Sequence, residues 1–82
     1  MFYVYLIQNE QKKFYIGSTN NLKRRFKEHN DGKNVSTRSH DWKLVYYEAY
    51  TTMNAARDRE KKLKHDGRVR RFLMERIKTH LE

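Results

Sequence analysis

Apolar residues along this chain come first in short runs and later at helical spacing. Phe2–Gln8 (FYVYLIQ) is rich in aromatic and branched residues and reads as a strand. The polar stretch Asn9–Lys13 separates it from a second short apolar run, Phe14–Gly17. A connection this short predicts an antiparallel hairpin. A loop centred near Glu10 sets Tyr5 opposite Tyr15 and Leu6 opposite Phe14, with both tyrosines on one face. Ser18–Asn21 supplies side-chain oxygens that start a helix, which runs from Leu22 to about Asn30 with Gly32 beyond it as a stop. Lys33–Asp41 has no apolar period and reads as a basic, hydroxyl-rich loop. Trp42–Tyr50 is a third strand. Thr51 and Thr52 cap a helix from Met53 to His65, which Asp66 and Gly67 end. A last helix, Arg68 to about His80, carries Val69, Phe72, Leu73 and Ile77 at helical spacing. The fold expected is α+β: a small three-stranded antiparallel sheet flanked by helices, in the order β-β-α-β-α-α, as one domain over residues 1–82.

Two helices place polar groups where apolar ones belong. With Leu22 at 0°, Phe26 falls at about 40°, His29 at about 340° and Arg25 at about 300°. The stripe that must face the sheet thus carries an arginine and a histidine one turn apart. Either Arg25 snorkels over the core edge and His29 is structural, or both line a site. In the next helix Glu60 lies inside the arc of Met53, Ala56 and Leu63. A carboxylate there needs a partner, because leaving it unpaired in low dielectric costs several kcal/mol. Lys64, four residues on, is one candidate. A metal ion, or a water held for chemistry, is the other.

Charge narrows the partner. Lys and Arg number 19 against 10 Asp and Glu, a formal net charge of +9 on 82 residues. That surplus points to a polyanion, nucleic acid before an acidic membrane surface. The chain has no cysteine, which excludes disulfides, thiolate metal sites and cysteine nucleophiles. Its four histidines, His29, His40, His65 and His80, lack zinc-site spacing, and no phosphate-binding glycine loop occurs. Met1–Ile7 is too short for a transmembrane span and lacks a basic leader, so a cytoplasmic protein is expected.

Tyr15-Ile16-Gly17, preceded by Tyr3-Val4-Tyr5, resembles the paired motifs of the GIY-YIG nuclease superfamily. After Gly17, Ser18-Thr19 leads to Leu22, Arg25 and His29-Asn30, similar to that family's helix with its arginine and histidine. Ala55-Ala56, then Glu60 four residues on, looks like the helix that supplies its acidic residue. The chain departs from the pattern at Tyr3, where the first motif has glycine.

The resemblance implies metal-dependent cleavage of a phosphodiester, with DNA expected before RNA and little sequence specificity. It also implies residue roles. Glu60 would hold one Mg²⁺ or Mn²⁺, mostly through waters. Tyr5 would activate the attacking water, Arg25 would grip the scissile phosphate, and Tyr15 and His29 would orient it or share the proton work. Nucleic-acid contacts are expected from Lys27, Lys33, Arg38 and His40. A monomer is expected, with a separate targeting partner as an open possibility. The alternative is a non-catalytic DNA- or RNA-binding module, or an accessory subunit of a nuclease complex.

Overall fold

The computed structural model describes residues 1–32 and 40–81, the last three by their backbone alone. The elements follow in the expected order: β1 (Phe2–Asn9), β2 (Phe14–Thr19), α1 (Leu22–Asn30), β3 (Trp42–Tyr50), α2 (Met53–His65) and α3 (Gly67–Leu81). The strands form one antiparallel sheet in the order β2-β1-β3, so β2 and β3 are both edges.

Strand alternation sorts the core into two layers. From one face, Val4, Leu6 and Ile16 meet Ala56 and Leu63 of α2 and Leu73 and Ile77 of α3. From the other, Tyr5, Ile7 and Trp42 meet Leu22 and Phe26 of α1. Each fully buried aliphatic side chain contributes about 1.5–3 kcal/mol to such layers. The central strand therefore supplies both cores, and a residue's parity on β1 decides which helix it meets.

The hairpin register differs from expectation by two residues. Tyr5 pairs with Gly17, Leu6 with Ile16 and Ile7 with Tyr15. The cause lies in the turn. The side-chain oxygen of Asn9 accepts from the backbone N–H groups of Gln11 and Lys13, and the Asn9 N–H donates to the Lys13 carbonyl. Asn9 and Lys13 thus close the loop around Gln11 rather than Glu10, with Lys12 taking the left-handed φ of 67°. A shift of two preserves parity, so Tyr5 and Tyr15 still share the α1 face. Between Leu6 and Ile7 the pairing with β3 slips, and Val45 is the extra residue.

Capping fixes the helices. The Asn21 side chain accepts from Arg24 N–H, and that of Thr52 from Ala55 N–H. Asn30 ties the end of α1 to the sheet: its carboxamide accepts from Trp42 N–H at 2.7 Å and donates to the Trp42 carbonyl at 3.1 Å. On α3, Val69, Leu73 and Ile77 turn inward, which leaves Phe72 58% exposed instead of buried. Phe72 lies about 100° from Leu73 around the helix, outside that stripe. Its ring lies beside the Arg71 guanidinium.

A second polar cluster braces the sheet against α2. Arg59 meets both oxygens of Glu48, at 2.9 and 3.1 Å. The Tyr46 and Tyr50 hydroxyls donate to the same carboxylate. Burial works to raise the Glu48 pKa, but the bonds from Arg59 and the two tyrosines outweigh it and hold the carboxyl below its usual range. Among the described residues no helix is long and apolar enough to cross a membrane.

Candidate active site

Tyr5 is 2% exposed, yet its hydroxyl reaches the edge of the sheet. Its ring crosses β2 over Gly17, where a Cβ would collide with the Tyr5 hydroxyl and lie 2.7 Å from Cζ. Glycine is required at position 17 by this crossing. On the far side, the Tyr5 hydroxyl and His29 Nε2 are hydrogen-bonded at 2.6 Å. His29 is fully buried under α1, and the Tyr15 ring meets it edge-on with centroids 4.9 Å apart. Arg25, one turn earlier on α1, brings its guanidinium to the Tyr5 hydroxyl and also pairs with Glu28 at 3.3 Å.

Glu60 approaches from the other helix layer. Its Oε1 accepts from the Ser18 hydroxyl, and Ser18 directly follows Gly17. Its Oε2 pairs with Lys64 Nζ at 2.7 Å. Lys64 also stands 5.8 Å from the Tyr15 ring centroid. Phenols, imidazole, guanidinium and carboxylate thus converge on the β2 edge, from both faces of the sheet.

Electrostatics set the protonation states. Burial pushes the Tyr5 phenol up to about 12, although Arg25 beside it pulls the other way. Burial, with the Arg25 cation nearby, pushes His29 down to about 4. Near neutral pH the pair is therefore a protonated phenol against a neutral imidazole. Burial works to raise the Glu60 pKa, but the hydrogen bonds from Lys64 and Ser18 and the charges of Lys64 and Arg57 outweigh it and keep the acid ionised.

Among the described residues no three His, Asp or Glu side chains gather to cage a metal. Glu60 offers one carboxylate, which suits Mg²⁺ or Mn²⁺ that takes its other ligands from water and a substrate phosphate. A cation, the Lys64 ammonium, already sits against it. The donor chemistry fits a hard dication once Lys64 swings aside.

The remaining expected contacts lie apart. Lys27 points outward from α1, paired with Asp31 at 3.2 Å. His40 bonds through Nδ1 to Glu10 at the hairpin turn, 2.8 Å away. Lys33 and Arg38 lie outside the described residues. The sequence offered Ser18 only as a helix-starting residue and part of the motif, not as a partner of Glu60, and it did not single out Arg24 or Arg57. Arg57 stands one turn before Glu60 on α2, and that spacing was the available signal.

Known proteins resemble this chain in sequence and in fold. The family model described as "GIY-YIG catalytic domain" matches residues 1–72. A UPF0213 protein of Clostridium perfringens is 36% identical over 83 residues, covering 95% of this chain and 89% of its own length. A UPF0213 protein of Haloquadratum walsbyi is 36% identical over 64 residues, covering 76% and 72%. The solution NMR structure of a UPF0213 protein from Bacillus halodurans superposes with a TM-score of 0.58 at 28% identity, over 92% of this chain and 84% of that one.

Proposed function

The chain belongs to the GIY-YIG catalytic-domain family, and from that premise we propose that it is a divalent-metal-dependent endonuclease acting on DNA with low sequence specificity. Members of the family are usually nucleases and generally depend on a divalent metal. The observation that carries the reading is the Tyr5–His29 hydrogen bond beside Arg25, with Glu60 held to the adjoining Ser18. The net charge of +9 supports a polyanionic substrate.

Cleaving a phosphodiester takes an in-line nucleophile, a proton acceptor and cations for the charge that develops. Arg25 presents a planar fork to two phosphate oxygens. Glu60 would hold Mg²⁺ or Mn²⁺, which would supply further positive charge beside the phosphate. Tyr5 and His29 handle the proton together. Burial raises the phenol and lowers the imidazole, so a full transfer of the proton from Tyr5 to His29 is strongly uphill. A free tyrosinate is thus too costly, and the proton moves as a relay. The attacking water gives its proton to the Tyr5 oxygen while the Tyr5 proton passes to His29 Nε2, in the tautomer that leaves Nε2 bare. The new oxygen–phosphorus bond forms as the leaving oxygen departs and takes a proton from solvent, and His29, a weak base with its pKa at about 4, returns its proton through Tyr5 to solvent. Tyr15, packed edge-on against His29, fixes the imidazole plane.

The test is nicking of supercoiled plasmid with Mg²⁺ or Mn²⁺. Wild type is expected to nick it and to stop in excess EDTA. Undiminished nicking by purified Glu60→Ala would contradict the assignment. The Lys64–Glu60 ion pair favours one second reading, a nucleic-acid-binding module without catalysis. That reading predicts salt-sensitive DNA binding with no cleavage under any divalent metal.

A further inference from the structure

Next to the Tyr5–His29 pair, between α1 and α2, opens a cavity of about 340 Å³. It falls at the small end of the ~300–1,000 Å³ range of ligand sites. Its lining joins two chemistries. Arg24, Arg25 and Arg57 bring guanidinium groups, and Phe2 and Met53 bring apolar surface. The cations outnumber their partners. Arg25 pairs with Glu28, the one carboxylate in the lining. Arg24 reaches Asn20 Oδ1 at a long 3.4 Å, and Arg57 forms no ion pair among the described residues. Met53, which its spacing put on the core-facing arc of α2, is instead 45% exposed at the start of that helix.

Unpaired guanidiniums ask for an anion, and an exposed apolar surface beside them asks for something flat and non-polar. One ligand class carries both in a body of this size. We propose that the cavity holds a single nucleotide unit of the substrate strand, its phosphate on Arg24 and Arg57 and its base against Phe2 and Met53. The proposal deepens the nuclease reading and rests on it: this nucleotide neighbours the phosphate that Arg25 receives. A base can enter only by leaving its stack, so the strand has to present an unstacked nucleotide at this point. Inorganic phosphate would satisfy the guanidiniums alone, and the experiment separates it from a nucleotide.

The experiment is an NMR titration of the whole chain in EDTA, following the Met53 methyl and the arginine side-chain signals. The probes are thymidine 5′-monophosphate, thymidine and inorganic phosphate. The nucleotide is expected to shift those signals and to bind about tenfold more tightly than either fragment. Arg57→Gln is expected to weaken it about tenfold, and Met53→Ser about fivefold. Both positions are exposed, so both variants are expected to keep the wild-type fold and spectrum. Equal affinity for phosphate and nucleotide, shifts confined to another surface, or wild-type affinity in both variants would overturn the proposal. Nucleotide binding here by a protein that cuts no DNA keeps the binding site and removes the nuclease reading. DNA cleavage without nucleotide binding at this cavity removes the subsite alone.

Discussion

The Tyr5 ring lies across the backbone of Gly17, its partner on the neighbouring strand. This crossing joins fold to chemistry. Tyr5 is anchored on the central strand, yet its hydroxyl reaches His29 and Arg25 at the sheet edge. The missing Cβ at position 17 is what makes room.

Gly17→Ala is expected to force the Tyr5 ring aside. Overpacking of this kind costs about 1–3 kcal/mol of stability, read as a lower urea midpoint. Cleavage by the folded fraction is expected to fall further, by about 10²-fold, because the hydroxyl leaves His29. A stable variant with wild-type cleavage would show that the crossing is not needed.

Stability should fall as pH drops below neutrality. His29 has a folded pKa near 4 against an ordinary value of 6.5, so the unfolded chain binds a proton that the folded one refuses. Its contribution is complete above about pH 6.5 and is lost as pH falls toward 4, by up to about 3 kcal/mol. Glu48 and Glu60, both held below the usual carboxylate range, add a loss at lower pH still. Thermal melts at pH 7 and pH 5 check this. His29→Gln is expected to be less stable at pH 7 and to lose less between the two. An unchanged slope in that variant would contradict the assignment.

Lys64 and a dication compete for one carboxylate. Lys64→Gln is expected to bind Mn²⁺ about tenfold more tightly than wild type, measured by electron paramagnetic resonance of the free ion. Glu60→Gln is expected to lose that binding. Equal affinity in wild type and Lys64→Gln would mean that the ion binds elsewhere.

Much of this was legible in the sequence, and the failures have physical causes. Element order followed from apolar periods, and the ends of α1, β3 and α2 fell where their caps and breakers stood. Arg25 and His29 stood out by their place on a core-facing stripe, and Glu60 by the cost of a carboxylate there, and the structure brings all three to the β2 edge. Register was misjudged because it depends on a side chain, Asn9, that binds the turn and moves its centre by one residue. Phe72 was misplaced because spacing alone does not fix how α3 rotates onto the sheet. Ser18 was invisible as a neighbour of Glu60, since the sequence does not say which side of α2 meets the end of β2, whereas Arg57 was readable from its place one turn before Glu60.

In the proposed mechanism Tyr5 and Glu60 reach the β2 edge from opposite layers and serve one reaction. Single-turnover cleavage of plasmid DNA with Mn²⁺ tests it in wild type, Tyr5→Phe, Glu60→Gln and the double variant. Each single change is expected to lower the rate by at least about 10²-fold, and the double change to be little worse than the poorer single one. Rates that multiply independently, or a single variant as fast as wild type, would contradict it.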